Sequence, residues 1–353
     1  MSETRSKVNL KSLTYEALVD FFARYRLPAY RVRQLNHWMY ERLATDIDDI
    51  TEFSKPLRQE LGAVAYISNP EVVRTLTASD GTTKYLLQLQ DGQRIEAVLI
   101  PDAERLTLCI SSQVGCRMGC RFCLTATLGF KRNLLAHEIV DQVITVARHI
   151  ALSRSRTPPA PDRVFTNIVL MGMGEPLDNL DEVVSALWRL TNDMGFSKRH
   201  ITLSTCGVVP GMLKLHNHAP AVNLAVSLNA TTNQTRSAIM PVNNRYNLQE
   251  LLRTCRAIPL THRQRITFEY VLLEGVNDGE DDAMRLCTLL KGIPAKVNLI
   301  PFNEYKGAPF KRPSDANVLR FQRTLSDRNM TVFIRKSKGA DIMAACGQLR
   351  AAC

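Results

Sequence analysis

Three cysteines lie close together in the chain, Cys116, Cys120 and Cys123, shortly after an apolar run that ends at Ile110. Thiolates are soft ligands that suit zinc and iron–sulfur clusters. A structural zinc site takes four ligands, usually as two pairs, and no second pair matches these three cysteines. A [4Fe–4S] cluster normally takes four thiolates, so three local cysteines would leave one iron open for a small molecule. The alternatives are a zinc knuckle and a chance clustering of buried cysteines.

The spacing C-x3-C-x2-C resembles the signature of radical SAM enzymes, in which the open iron chelates S-adenosylmethionine (SAM). Two glycines, Gly115 and Gly119, stand beside the first two thiols. Glycine permits backbone conformations that let a loop wrap closely around a ligand. The segment therefore predicts an iron–sulfur site.

The composition is that of an ordinary globular protein, with 353 residues, 45% of them hydrophobic and 22% charged. No apolar run reaches the roughly 18 residues of a transmembrane helix, and segment 1–7 lacks the apolar core of a signal peptide. We therefore expect a cytoplasmic protein without membrane contact, in which clustered cysteines bind metal or act in catalysis. Lysine and arginine number 45 against 34 acidic residues, a formal charge of +11. This excess weakly favours nucleic acid as a partner.

The N-terminal segment 1–65 is predicted to be a small helical domain. Thr14 is a candidate N-cap for a helix over 15–25, and a second helix is expected over 30–43 after the break at Pro28. Basic residues interleaved with tyrosines suit phosphate contacts and base stacking. A solvated helix face with tyrosines in the core explains the pattern equally well. The residues concerned are Arg24, Arg26, Arg31, Arg33, Arg42, Tyr25, Tyr30 and Tyr40.

Residues 66–103 are predicted to form a β-meander that links this domain to the rest of the chain. Three alternating runs are separated by Asp80-Gly81 and Asp91-Gly92, and Asp-Gly between such runs is a strong hairpin signal. Glu96 lies inside the third run. Its carboxylate either faces outward without function or points into a site as a base, and the pattern alone favours the outward position.

From residue 104 to 353, strand-like runs alternate with helical patterns. This alternation predicts an α/β domain with a parallel sheet, open or closed, whose site lies at the carboxyl ends of the strands. Four predicted strand ends carry residues that suit a polar cofactor. They are the turn Gly172-Met-Gly174-Glu175-Pro176, Ser204 near the end of a strand at 201–204, the stretch Ser227-Leu228-Asn229, and the run from Asn298 to Asn303.

The remaining cysteines differ in their surroundings. Cys346 stands beside Gly347 after a basic turn, and glycine gives access while neighbouring cations lower a thiol pKa. It is therefore a candidate nucleophile, and Cys109, on the strand before the three-cysteine loop, is a weaker one. Cys206, Cys255 and Cys287 have apolar neighbours typical of packing residues, and Cys353 ends the chain.

Taken together, these motifs resemble the RlmN/Cfr family of radical SAM RNA methyltransferases over nearly the whole chain. Within that family, the stretch Gly129-Phe-Lys-Arg-Asn133 is similar to the RlmN branch, the adenosine C2-methyltransferases, rather than to the Cfr branch. One departure is Asn229, where many relatives have histidine. The motifs that carry the resemblance are Ser111–Cys123, Gly129–Leu134, Gly172–Pro176, Leu203–Gly207, Ser227–Asn229, Asn298–Asn303 and Ala345–Leu349.

The resemblance implies a partial (βα)6 radical SAM barrel. Cys116, Cys120 and Cys123 would hold a [4Fe–4S] cluster, with SAM on its open iron. The contacts to SAM would come from Gly174, Glu175, Ser204, Ser227, Leu228, Asn229 and Asn303.

The resemblance also implies a reaction that consumes two SAM molecules per turnover. The first would methylate Cys346, and the second would give a radical that takes hydrogen from that methyl group. The resulting carbon radical would add to C2 of an adenine and leave a protein–RNA adduct. Glu96 would remove the C2 proton, and Cys109 would release the product by forming a disulfide with Cys346.

The implied substrate is 23S rRNA near the peptidyl-transferase centre, and the sequence leaves open whether tRNA, next to the anticodon, is a second one. A flavodoxin and its reductase would supply electrons, and a monomer is expected. Three rivals remain: C8 methylation of the same nucleotide, a nucleic-acid-binding protein with a structural cluster, and a radical SAM enzyme that acts on a small molecule.

Overall fold

The computed structural model describes residues 7–153, 159–261 and 263–351. Cys353 and residues 154–158 of the loop predicted at 153–162 lie outside the described residues. The strands are β1 (Val8–Asn9), β2 (Ala65–Tyr66), β3 (Glu71–Thr77), β4 (Thr83–Gln88), β5 (Arg94–Asp102), β6 (Arg105–Cys109), β7 (Gln113–Gly115), β8 (Phe130–Asn133), β9 (Asn167–Leu170), β10 (Ile201–Thr205), β11 (Asn223–Ser227), β12 (Ile266–Leu272), β13 (Ala295–Pro301) and β14 (Val332–Ile334). The α-helices are α1 (Tyr15–Arg24), α2 (Tyr30–Asn36), α3 (Lys55–Val64), α4 (Ala136–Ser153), α5 (Pro161–Val164), α6 (Leu180–Trp188), α7 (Val209–His218), α8 (Asn233–Ile239), α9 (Leu248–Ala257), α10 (Glu280–Leu290) and α11 (Asp315–Ser326).

One sheet of ten strands dominates the molecule, in the order β14-β13-β12-β11-β10-β9-β6-β5-β4-β3. Seven strands of this sheet, β6 and β9 to β14, pair in parallel. At least one helix lies between each of them and the next along the chain. The predicted alternation of strands and helices is therefore confirmed, with six β-α-β crossovers that form a partial barrel. Strand β12 is buried on both faces apart from the half-buried Val271, as expected of a central parallel strand.

The predicted meander extends this same sheet. Strands β3, β4 and β5 are antiparallel, and β5 continues onto β6 with Val98 opposite Cys109. The segment predicted as a linker between domains thus forms one wing of the barrel sheet. The wing reaches the site because β6 belongs to both the antiparallel and the parallel parts.

The chain crosses back over the mouth of the barrel after β14. We call residues 335–351 the C-terminal strap. The N–H of Gly339 donates to Asp80 Oδ2 (3.0 Å), in the turn between β3 and β4. Further along, Lys84 Nζ donates to the carbonyl of Met343 (3.0 Å). The strap thus runs from one edge strand of the sheet to the hairpin at the other edge, and it carries Cys346 across the mouth.

The N-terminal domain is helical as predicted, and Thr14 Oγ1 caps α1 by accepting from the N–H of Ala17 (3.2 Å). The second predicted helix is α2 followed by a π-helical turn, His37–Glu41. The tyrosines are of two kinds. Tyr40 is buried, as expected of a core residue, whereas Tyr30 is exposed, as expected of a residue that stacks on bases. The guanidinium of Arg31 lies 5.2 Å from the ring centroid of Tyr30. None of the helices in the described part of the chain is both long and apolar enough to cross a membrane.

A buried ion pair fastens this domain to the barrel. Lys11 Nζ lies 2.6 Å from Asp141 Oδ1 in α4, and both side chains are almost fully buried. Ser68 supplies a carbonyl to the ammonium (2.9 Å) and a hydroxyl to the carboxylate (3.2 Å). Removal of one partner of such a pair leaves an uncompensated buried charge.

We predict that Lys11→Met lowers the free energy of unfolding by about 3–5 kcal/mol, since Asp141 then stays buried without its counter-charge. The double variant Lys11→Met/Asp141→Leu, which removes both charges, should recover much of that loss. Denaturant unfolding measures both quantities. Equal losses in the single and double variants would contradict this role of the pair.

Candidate active site

The three-cysteine loop is held by its own β-ribbon. Strand β7 pairs with β8, and the loop between them carries Cys116, Cys120 and Cys123. The N–H of Cys116 donates to the carbonyl of Gly129 (3.0 Å) and closes the loop at its base. Gly115 has φ +77°, and a Cβ there would lie 1.9 Å from that same carbonyl oxygen. Only glycine fits this crossing, as the sequence predicted.

The loop forms one wall of an open cavity at the carboxyl ends of the parallel strands. The cavity brings together most of the predicted site residues, although they come from six separate parts of the chain. Those that line it are Cys116, Cys120, Cys123, Gly174, Glu175, Ser204, Ser227, Asn229, Asn303 and Cys346.

The three thiols suit a cluster better than a single metal ion. In the described residues, no group of three or more histidine, cysteine, aspartate or glutamate side chains is arranged to hold one ion. A set of three thiols fits a [4Fe–4S] cluster with one iron left open better than a structural zinc site, which takes four ligands. Burial raises the pKa of all three thiols, that of Cys116 to about 12. They are therefore protonated until a metal displaces the protons.

The turn after β9 fits closely against the segment that leads into the cluster loop. Gly174 has φ +104°, and a Cβ there would lie 2.6 Å from the Gln113 side chain. Glu175 is buried, and its two oxygens accept from the N–H groups of Leu177 (3.0 Å) and Cys206 (2.7 Å). The carboxylate therefore fixes the turn to the end of β10, and burial raises its pKa.

The residues after β11 are placed differently from one another. Asn229 adopts a left-handed conformation (φ +57°) that asparagine tolerates better than most residues, and its side-chain oxygen accepts from the N–H of Val271 (2.8 Å). Its side chain is thus engaged within the fold. Leu228 does not line the cavity, because its side chain is fully buried and its N–H donates to the carbonyl of Glu269 (3.0 Å). The contact of Leu228 with SAM stays a prediction.

Cys346 lies where two cavities meet. It is exposed, and it lines both the cluster cavity and a second, smaller cavity together with Met171, Asn303 and Arg335. Asn303 Nδ2 donates to the carbonyl of Cys346 (3.3 Å). The negative charge of a Cys346 thiolate is the largest cause of the raised pKa of Arg335, so the cation near this thiol is Arg335.

Cys109 also lines the second cavity. Its thiol is 7% exposed, and burial raises its pKa to about 12, with a further rise from the charge of Cys346. The second cavity therefore contains both candidate reactive thiols, and the cluster cavity contains only Cys346.

Glu96 is buried, so the outward position favoured by the pattern is wrong. Its side chain pairs with Lys84 Nζ (3.2 Å), and its other oxygen accepts from the N–H of Arg350 in the C-terminal strap (2.8 Å). Burial raises the pKa of this carboxyl. It lines neither the cluster cavity nor the second cavity.

Sequence reasoning missed two buried charged residues. Glu269 lines the cluster cavity, level with Ser227 and Asn298 across three strands, and its Oε2 lacks a partner among the described residues. A carboxylate inside an apolar strand could have indicated it. Arg236 in α8 is fully buried and binds the ends of β10 and β11. No local pattern marks it. Cys206, expected to be a packing residue, is buried and also lines the cavity.

Comparison with known proteins defines the class first. Residues 110–287 match the family model of the Radical SAM superfamily. Residues 8–67 match the model described as the ribosomal RNA large subunit methyltransferase N-terminal domain. A crystal structure of a radical SAM methyltransferase from Sphaerobacter thermophilus is 42% identical, with a TM-score of 0.90 over 98% of this chain and all of that one. The chain is a radical SAM enzyme, and the expected fold class is confirmed.

Curated relatives narrow the class to a family. The dual-specificity RNA methyltransferase RlmN of Desulfosudis oleivorans is 49% identical over 99% of this chain and 93% of that protein. The protein of the same name from Geobacter sulfurreducens is 49% identical over 97% of this chain and 92% of its own length. The chain belongs to the RlmN family of RNA methyltransferases, so the resemblance found in the sequence is confirmed.

We predict that Gly174→Ala lowers the free energy of unfolding of the cluster-free protein by about 2–3 kcal/mol, because strain at positive φ adds to the clash with Gln113. Gly92→Ala is the matched control, since Gly92 has φ +79° and a Cβ there would meet nothing within 4 Å. It should cost only about 1 kcal/mol. Denaturant unfolding compares them, and equal losses would show that the contact with Gln113 is unimportant.

Proposed function

We propose that this chain methylates C2 of adenosine in 23S rRNA, near the peptidyl-transferase centre, and in tRNA next to the anticodon. The match to the N-terminal domain of large-subunit rRNA methyltransferases supports the first substrate. The dual specificity in the name of its relatives supports a second. The observation that carries the proposal is the place of Cys346, between a cavity with three cluster thiols and a cavity with Cys109.

Cys116, Cys120 and Cys123 would hold the [4Fe–4S] cluster, and the polar lining of the same cavity would hold SAM. When bound, the cluster and two SAM molecules would supply a methyl group for the Cys346 sulfur and a radical that takes a hydrogen atom from that methyl group. Ser204, Ser227 and the backbone around Gly174 line the cavity and suit hydrogen bonds to SAM.

Cys346 carries the methyl group to the base. Its thiol is exposed, so it can meet both SAM and RNA, and the Arg335 cation lines the same two cavities. Adenine C2 is electron-poor and offers no nucleophile to SAM directly. Instead, the methyl carbon bound to the Cys346 sulfur adds to C2 as a radical, and this new bond joins the protein to the RNA.

Release of the product uses Glu96 and Cys109. The cluster, when bound, would take up the unpaired electron of the adduct, and Glu96 then accepts the C2 proton. The Cys109 sulfur then bonds to the Cys346 sulfur as the bond from that sulfur to the carbon breaks, and the carbon takes the electron pair and a proton. Since Arg350 covers Glu96, the end of the strap must shift before this base reaches RNA.

The charge of +11 and the N-terminal domain suit an RNA partner. Tyr30 and Arg31 offer an exposed ring and a cation side by side for a base and a phosphate. We also propose a flavodoxin–flavodoxin reductase pair as the electron source, and a monomer as the working form.

A second candidate is C8 methylation, as in the Cfr branch, which would use the same thiols. The stretch Gly129–Asn133, whose sequence is similar to the RlmN branch, lies at Gly129 and in β8, beside the cluster loop. There the guanidinium of Arg117 lies 3.8 Å from the Phe130 ring centroid. The sequence of this stretch favours C2.

We predict that RNA treated anaerobically with the reconstituted enzyme, SAM and reductant contains 2-methyladenosine, measured by mass spectrometry of nucleosides. Cys346→Ala should give none, because the methyl carrier is lost, and the control Cys287→Ala should keep its activity. A 23S rRNA fragment and tRNA are tested separately. The appearance of 8-methyladenosine would transfer the protein to the Cfr branch, and no methylated adenosine at all would refute the substrate.

We predict that Cys109→Ala accumulates protein bound covalently to RNA, because the adduct forms but its bond to Cys346 is not broken. Denaturing gels detect the complex by its lower mobility. Cys255→Ala, which removes another buried thiol with a pKa of about 12, should turn over without an adduct. Free turnover by Cys109→Ala would exclude its role in release.

A further inference from the structure

Arg236 is a fully buried cation whose side chain meets only neutral acceptors. Its Nε donates to the carbonyl of Leu228 (3.1 Å), and its Nη2 donates to the carbonyls of Cys206 (2.7 Å) and Ser227 (3.3 Å). Its Nη1 donates to Asn243 Oδ1 (3.2 Å). Among the residues that the structure describes, no carboxylate lies within 4.0 Å of this guanidinium.

These hydrogen bonds explain why N–H donors are needed at the ends of β10 and β11. They do not explain why the donor group, the Arg236 guanidinium, is charged. Burial of an ion without a counter-charge is costly even when its hydrogen bonds are satisfied. Glu175 accepts from the N–H of Cys206 (2.7 Å), whose carbonyl the guanidinium binds, yet its carboxylate does not contact the guanidinium. An anion that the polypeptide does not itself supply would balance Arg236.

The cluster loop is seated on the segment that begins with Arg236. The N–H of Arg121 donates to the carbonyl of Ile239 (2.9 Å), and a Cβ at Gly119 would lie 3.6 Å from the Pro241 ring. The Cys120 side chain packs against a small apolar cluster that contains Cys206 and Ile239. The guanidinium, bonded to the Cys206 carbonyl, is therefore close to one of the three cluster thiols.

We propose that Arg236 is the buried counter-charge of the iron–sulfur site and raises the reduction potential of the cluster that Cys116, Cys120 and Cys123 would hold. This inference rests on the proposed cofactor. Reduction by an external donor adds one electron, and thus one negative charge, to an already anionic group of cluster and thiolates. A fixed cation in a water-poor surrounding stabilises the reduced form more than the oxidised form. Arg236 thus makes the electron that starts SAM cleavage easier to accept.

The test is a redox titration of the full-length protein, reconstituted anaerobically and followed by electron paramagnetic resonance, with dithionite and mediators. Arg236→Gln should shift the midpoint potential to a more negative value than that of the unmodified protein. Arg236→Lys keeps the charge and should shift it much less. Iron and sulfide contents are measured in each sample, so that loss of cluster is not mistaken for a change of potential. An unchanged potential in Arg236→Gln at equal iron content would overturn the proposal and leave Arg236 a structural clamp.

A second pair of variants covers the case in which Arg236→Gln does not fold. Asn243→Asp keeps Arg236 and places a carboxylate on its guanidinium, so it should also shift the potential to more negative values. Asn243→Ala removes the same hydrogen bond without adding charge and should leave the potential near its original value. Equal potentials in these two variants would overturn the proposal. The potential is read without RNA, so a wrong substrate would not affect it, whereas an unmodified protein that binds no iron would refute the cofactor and this inference together.

Discussion

One backbone hydrogen bond joins the two halves of the site, and the rest of the structure serves to make it possible. The N–H of Leu124, directly after the last cluster cysteine, donates to the carbonyl of Gly347 (2.7 Å), directly after Cys346. More than two hundred residues separate these partners in the chain. Their contact requires a curved sheet, because the C-terminal strap leaves β14 and must cross the mouth of the barrel to meet the cluster loop between β7 and β8. The thiols that act together are neighbours because the two edges of the sheet are bridged.

Buried polar groups hold the strand ends in place around the cavity. Glu175 ties the turn after β9 to the end of β10, and Arg236 ties the end of β10 to that of β11. Each would be costly alone, because a buried charge must be satisfied by partners that are fixed in position. The cavity walls are therefore set before any cofactor binds, and this favours precise placement of ligands.

The sequence predicted the secondary-structure elements well, and long-range pairing less well. The alternation of apolar strands and amphipathic helices located the barrel, since both signals are periodic and local. The burial of Glu96 was not predicted, because it depends on Lys84 in the next strand and on the strap, more than 250 residues away. Arg236 was missed because its hydrogen bonds join the ends of two strands, β10 and β11, which become neighbours only in the folded sheet. Such contacts leave no pattern in a single sequence.

The placement of the three proposed catalytic groups also imposes an order on the reaction. Cys346 is exposed, whereas Cys109 and Glu96 are only 7% and 4% exposed. A methyl donor and an RNA base can therefore reach the first thiol while the second thiol and the base stay covered. Burial raises the pKa of Cys109 to about 12, which favours its thiol form over the reactive thiolate. In the proposed mechanism, movement of the strap that uncovers Glu96 also changes the surroundings of Cys109, since Leu349 lines the same cavity as this thiol. Release is then possible only after the adduct has formed.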